Sequence, residues 1–347
     1  MTSLYLPTSA PAAPAVRRMR GLLALGALLG FSALAPAPAS AQQFPTRPIK
    51  ILIPNPAGGP TDQVARLFGD RLSAALGQPV IVESRPGGNG AVVANATIAA
   101  PADGHTIALS TIGGQVLTPA INAYLKKKQE PDVLKQLIPV SKLVDVTLAI
   151  VAFPGTGFKT MNDLVSYAKA NPGKLNFATT SVGASDHLGI EMYNKAVGIN
   201  TVHIPQKGFA GALNSTLAGE THYWLASLTQ QIINFHKADR LRILAVTSAQ
   251  RSSMTPDIPT VAEASNLPKF EVGSWQAVFV RAGTDKRIVT ILGNEFQKAA
   301  HEAELVAKIN AAGMKSVGSS PEALGSIVDS EYQKWLDMLN TTRIPVN

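Results

Sequence analysis

From Ile49 onward the chain repeats one unit: a short apolar run, a turn rich in glycine, serine or threonine, and a stretch with helical spacing. "IKILI" (49–53) is almost continuously apolar, as a strand buried on both faces requires. Val64, Leu67, Phe68, Leu72 and Leu76 then keep helical spacing, and Gly77 stops the helix. "PVIVES", the helical "GAVVANATIAA" and the strand "HTIALST" follow. Such alternation predicts βαβ units and a mostly parallel sheet. A second series begins near Val146 with the strand "TLAIVAF", then a helix that Thr160 opens with Asp163 three residues on, a weak capping-box variant. "LNFATT", "TVHIP", "HYWLASL" and "LRILAVTS" read as four further strands. After a proline-rich loop comes "FEVGSWQAVFV".

The tail is expected to be helical. "DKRIVTILGNEFQKAAHEAELVAKINAAG" reads as one helix ending at Gly313. A last helix opens with Ser320 as N-cap and Pro321 at N1, and buries Leu324, Ile327, Val328, Trp335 and Leu339. Two βα series plus this tail predict two lobes. Lobe I takes residues 42–146 and 271–347, and lobe II takes 147–270. At 347 residues, 46% hydrophobic and 16% charged, the chain can supply both cores.

Residues 1–41 stand apart. Arg17, Arg18 and Arg20 precede the apolar "GLLALGALLGFSALA", and Ala39 and Ala41 satisfy the small-residue rule for cleavage after Ala41. The pattern is that of a secretory signal peptide. The alternative, a membrane anchor, needs roughly 20 apolar residues, more than this run provides. Met19 offers a second start, and Arg17-Arg18 only partly match a twin-arginine signal. The chain has no cysteine, so it forms neither disulfides nor a lipid-modified N-terminal cysteine. An exported, cysteine-free chain without a second long apolar run is expected in the bacterial periplasm, with no stable membrane insertion.

The formal charge of +8 falls to +5 without the three signal arginines. The lysines are scattered apart from Lys126, Lys127 and Lys128, which read as a solvated helix end rather than a nucleic-acid patch. No nucleic-acid partner is expected.

Catalytic constellations are missing. The six histidines show no metal-binding spacing, and there is neither a G-x-S-x-G elbow nor a Walker loop. No metal and no cofactor are expected. "PGGNGAVVAN" begins like a dinucleotide fingerprint, but Val93 occupies the third glycine position. A turn with close backbone packing is the better reading. Four strand-to-helix turns remain: "NPAGGPTD" (55–62), "STIGG" (110–114), "TTSVGASDHL" (179–188) and "PQKGFAGA" (205–212). Free amides at such helix starts bind anions, and in open α/β sheets these turns gather at the carboxyl ends of strands. Asp186 and His187 are either an acid–base pair or a helix-start acid beside a packed or pocket-lining ring. Lys207 is either a Schiff-base lysine or a turn lysine near an anion.

"FPTRPIKILIPNPAGGPTDQVARLF", "LGQPVIVESRPGGNGAVVA", "ADGHTIALST", "VGASDHLGIEM", "RLRILAVTSAQRSSMTPDIPTVAEA" and "FEVGSW" follow one another along the chain. Together they resemble the receptor family of tripartite tricarboxylate transporters, the Bug-type periplasmic solute-binding proteins. The resemblance covers essentially everything after the signal segment. It implies an α/β, two-lobed, type II-like periplasmic binding protein, monomeric and not an enzyme, that closes around a small carboxylate and hands it to a two-component membrane permease.

It also implies a site. One carboxylate would be held by Gly58, Gly59, Thr61 and Asp62, with Asn55 and Ala57 in the same turn. Ser110 and Thr111 come from the fourth turn. The opposite lobe would contribute Thr180, Ser181, Val182, Gly183, Ala184, Ser185 and His187, then Lys207, Gly208, Phe209 and Ala210, then Ala226 and Ser227. Asn55, Gln206, Phe209, His222 and Trp224 depart from the family pattern, which brings aromatic acids in beside di- and tricarboxylates. Two other readings compete: a secreted α/β enzyme using Asp186, His187 and Lys207, and a ligand-presenting partner of a membrane sensor.

Overall fold

The computed structural model of the protein describes residues 44–128, 131–343 and 346. The expected signal segment lies outside the described residues. β1 (Ile49–Ile53) leads into α1 (Pro60–Leu76), β2 (Val80–Ser84) into α2 (Ala91–Ala99), and β3 (Thr106–Thr111) toward α3 (Thr118–Tyr124). A helical turn, α4 (Val133–Gln136), precedes β4 (Leu137–Val146), which continues through Thr147 into β5 (Leu148–Ala152). Then come α5 (Met161–Ala170), β6 (Asn176–Thr179), α6 (Ser185–Val197), β7 (Val202–Pro205) and α7 (Gly208–Leu217). β8 (Tyr223–Ser227), α8 (Gln230–Lys237), β9 (Arg242–Val246) and the short α9 (Val261–Ala264) complete the second series. β10 (Ser274–Arg281), α10 (Lys286–His301), α11 (Ala303–Ala311), β11 (Met314–Ser316) and α12 (Pro321–Thr342) form the tail.

The strands make two sheets, ordered β11-β4-β10-β3-β1-β2 and β7-β6-β8-β5-β9. The chain crosses to the second sheet between β4 and β5 and returns between β9 and β10. Both sheets lie within one compact unit that begins at Pro45.

Most strands of each sheet run one way, as expected, but antiparallel strands, β10 and β11 in the first sheet and β5 in the second, are set among them. β1 pairs in parallel with β2 and β3, but β10 runs antiparallel between β3 and β4, and β11 is antiparallel to β4. In the second sheet β6 is parallel to β7 and β8, while β5 runs antiparallel between β8 and β9. A continuous apolar run reports burial on both faces, not strand direction. β5 is buried at all five positions although both of its neighbours are antiparallel. β4 was not anticipated at all. Pro139, which signals an edge or a break, sits inside it opposite Phe279, beside a register irregularity.

The helices follow their sequence logic more closely. α1 buries Val64, Ala65, Phe68 and Leu72, and Gly77 ends it in the left-handed conformation. Phe68 meets Phe296 of α10 at a ring distance of 6.2 Å. Thr160 and Asp163 form the full capping box of α5. The stretch read as one helix ending at Gly313 is two, broken at Glu302, whose extended backbone (φ −68°, ψ 127°) turns the chain. Ser320 caps α12, which buries Leu324, Val328, Trp335 and Leu339, with Ile327 half-buried.

Gly313 joins the tail to the second sheet. Its φ is +84°, and a Cβ there would overlap the carbonyl oxygen of Leu228, just beyond β8. Left-handed strain and overlap act together, so Gly313→Ala is expected to lower the unfolding free energy by about 2–4 kcal/mol in urea titration. A change within experimental error would show that the contact yields.

Candidate functional site

The carboxyl ends of strands from both sheets open onto one cavity of about 660 Å³. Each lobe presents a glycine-bearing turn to it, and in each an aspartate in the helix's first turn organises that turn from inside. In the first turn Gly58 has φ +86°, a conformation that glycine adopts without strain. Its N–H donates to Asp62 Oδ2 at 3.1 Å, and Arg66 Nε donates to the same oxygen at 3.0 Å. Burial works to raise the Asp62 pKa, but the Arg66 and Gly58 hydrogen bonds outweigh it and hold the carboxyl below its usual range. Thr61 Oγ1 donates to Asn55 Oδ1 at 3.0 Å. The Asn55 NH2 thus remains available at the cavity wall.

In the second lobe Asp186 is 4% exposed and accepts from the Thr180 N–H and hydroxyl, the His187 N–H and the Trp224 indole. Burial pushes its pKa up to about 6, against the pull of those donors. His187 is stacked on His203 at 4.0 Å, and its Nδ1 accepts the Gly183 N–H at 3.2 Å. The Asp186 carboxylate therefore meets the His187 backbone, and no acid–base pair with the imidazole is assembled.

Of the expected site residues, Asn55, Ala57, Gly58, Gly59, Thr61 and Thr111 line the cavity from the first lobe. Thr180, Ser181, Ala184, Ser185, Lys207, Gly208, Phe209, Ala210 and Ser227 line it from the second. Six others lie elsewhere. Asp62 and His187 turn inward to hold their own turns, and Ala226 and Ser110 are buried in strands. Val182 and Gly183 face a separate outer groove. His222 and Trp224 do not line the cavity: His222 Nδ1 accepts the Asn176 N–H, and Trp224 is fully buried.

Sequence reasoning passed over other lining residues, chiefly Gly87, Gly88, Asn89 and Gly90 and, on the floor, Ser274 and Gln276. "PGGNG" is the close-packed turn expected, yet it also carries Asn89 (φ +48°) across the cleft. Asn89 Nδ2 donates to Gly183 O and to Thr118 Oγ1, each at 3.1 Å, and Ser181 Oγ donates to Asn89 Oδ1 at 3.3 Å. The polar letters in "SWQAVFV" were the signal for the floor.

The helix starts set the electrostatics. α1, α6 and α7 begin at the cavity with no hydrogen bond from an N-cap side chain, although in α6 the His187 N–H is taken by Asp186. α5, α8, α9, α10 and α12 each carry a capping hydroxyl or carboxylate. Among the described residues no aspartate or glutamate lines the cavity, and Lys207 is the one charged residue that does. No cluster of metal-ligating side chains occurs among the described residues. Uncapped helix N-termini, hydroxyls and one cation suit an anion.

A two-sheet α/β fold with its ligand-sized cavity between the lobes is that of the periplasmic solute-binding proteins. Residues 64–343 match the family described as "Tripartite tricarboxylate transporter family receptor". BugT of Bordetella pertussis is 32% identical over 323 residues, spanning 93% of this chain and 97% of BugT. A solved R. palustris protein with adipate superimposes with a TM-score of 0.81 at 28% identity, covering 87% of this chain and 99% of that one. MatC from Rhodopseudomonas palustris with bound malate gives 0.78 at 25%, covering 85% and 99%. The chain belongs to the tripartite tricarboxylate transporter receptor family, which consists of transport receptors rather than enzymes.

The buried ring of His187 generates a pH prediction. Burial, with His203 adding to it, pushes His187 down to about 3, so the folded state keeps the ring neutral. The unfolded chain binds that proton near 6.5, so this contribution is complete above that pH and is lost on acidification. Asp186, with its raised pKa, opposes it, because its ionised form costs stability above about 6 and that cost fades toward pH 4. Replacing the ring separates the two. Between pH 7 and 5, His187→Gln is expected to lose about 1–2 kcal/mol less unfolding free energy than the unaltered chain. Equal losses would mean that the ring is protonated in the folded state.

Proposed function

We propose that the protein is a periplasmic receptor that captures a small di-, tri- or aromatic carboxylate between two lobes, as a monomer, and delivers it to a two-component permease of the tripartite tricarboxylate type. The observation that carries this reading is the convergence of three helix N-termini without an N-cap side-chain bond on a cavity that, among the described residues, no acidic side chain lines. Amides and hydroxyls hold a carboxylate without a tight counter-ion, which leaves release possible. Lobes divided near residues 146 and 271 give two chain crossings as the hinge. Ligand touching both lobes then favours the closed arrangement. The acids seen in the two R. palustris structures, adipate and malate, support small carboxylates as the class.

A thermal-shift series of mono-, di-, tri- and aromatic carboxylates tests it. An acid present at 100 times its Kd should add about 2.7 kcal/mol of stability. If no carboxylate raises the melting temperature while the purified protein consumes one, the receptor reading is wrong.

Gly59 gives a narrower test. Its φ of −89° suits any residue, and a Cβ there would sit 3.8 Å from Pro56 O and 4.0 Å from Phe209 Cβ, in ordinary contact. The methyls of Gly59→Val would then crowd the cavity. Affinity for the acid that binds is expected to fall about 10–100-fold, with the ligand-free melting temperature little changed. Unaltered affinity would remove the first turn from the site.

A further inference from the structure

The cavity floor carries polar groups that the carboxylate turns do not explain. β10 brings Ser274 and Gln276 to the cavity, and β3 places Thr111 directly opposite Gln276 in antiparallel register. Directly opposed residues share a face, so these three side chains stand together. A register shift between Gln276 and Ala277, on the side of β10 that pairs with β4, marks a local irregularity of the kind that re-aims side chains beside binding sites.

Gln276 is 4% exposed, and its Oε1 is enclosed without a hydrogen-bond partner. Among the described residues, the Thr111 and Ser274 hydroxyls likewise make no bond within the protein. A buried acceptor without a donor is a standing cost to a fold, and native proteins rarely keep one without a use.

The missing partner must bring a hydrogen to Oε1. A carboxylate has none. An ammonium group would need a counter-charge, yet among the described residues the lining has no acid and already holds Lys207. A neutral donor fits, and a hydroxyl fits all three groups at once: it donates to Gln276 Oε1 and accepts from Thr111 or Ser274.

We propose that Thr111, Ser274 and Gln276 form a floor subsite for a hydroxyl group of the bound acid, so that the receptor selects hydroxycarboxylates over unsubstituted acids and amino acids. This rests on the carboxylate-receptor reading above. It adds a specificity determinant on β10 and the end of β3, the two central strands of the first sheet.

Calorimetric titration with matched pairs tests it: malate and succinate, citrate and tricarballylate, 3-hydroxybutyrate and butyrate, 4-hydroxybenzoate and benzoate, with aspartate as the ammonium counterpart of malate. In the series that binds, the hydroxylated member is expected to bind about 10-fold tighter or more than its partner, because only it supplies the buried group's bond. Aspartate should gain nothing over succinate. Gln276→Leu is expected to cut affinity for the hydroxylated member about 10-fold more than for its partner, and its ligand-free melting temperature should not fall.

Equal affinity within every pair that binds, or the same loss for both members in the variant, would overturn the proposal while leaving the receptor reading intact. A lower ligand-free melting temperature for the variant would also overturn it, by showing that the amide serves the fold. If no carboxylate binds at all, the receptor reading fails and this proposal falls with it.

Discussion

The site depends on two aspartates that never reach the cavity. Each sits in the first turn of a helix, where a carboxylate is stabilised by the helix dipole. Each turns back to accept a backbone N–H of its own turn, Gly58 for Asp62 and Thr180 for Asp186. That bond curls the turn so that its remaining amides and hydroxyls face outward. Without it, a glycine-rich turn has many conformations and would lose the entropy of choosing one each time ligand arrives. The two sites differ in their outer partners. Asp62 shares its charge with the exposed Arg66, whereas Asp186 is sealed under Trp224, part of the apolar cluster between β8, α7 and α8.

Across the cleft the contacts are few and specific. Asn89 reaches from the first lobe to Ser181 and Gly183, and Pro56 abuts Gly208, where a Cβ would lie 3.2 Å from its ring. These contacts are made by small polar groups, backbone and a proline ring. The same Asn89 side chain separates the ligand cavity from the outer groove lined by Val182 and Ile121. The close approach of Gly113 and Gly114 to Asn89 explains the glycines in "STIGG": a Cβ on Gly114 would stand 2.7 Å from Asn89 O.

Much of the fold was legible because its signals are local. The capping box at Thr160, the Ser320-Pro321 start of α12 and the apolar runs of β1 and β5 each lie within a few residues. Strand direction was not legible, since burial on both faces looks alike whether a neighbour runs with or against the strand. β4 escaped because Pro139 reads as a break, and only pairing with β10 shows that the sheet accommodates it. The break at Glu302 carries no glycine or proline to announce it.

The same division holds for the site. The residues alone determined that strand-to-helix turns with open amides were present, because glycine, proline and hydroxyl side chains near a helix start have narrow conformational preferences. They also excluded metal spacings and nucleophile motifs, which need particular side chains. Tertiary structure decided which of these turns meet, and it moved Asp62 and His187 from ligand contacts to internal supports. It also brought Asn89 and Gln276 to the cavity from segments that looked like packing. Hydrogen-bond partners and burial are set by what a side chain faces after the sheets assemble, and Gln276 acquires an unmet acceptor only once β3, β4 and β10 lie side by side.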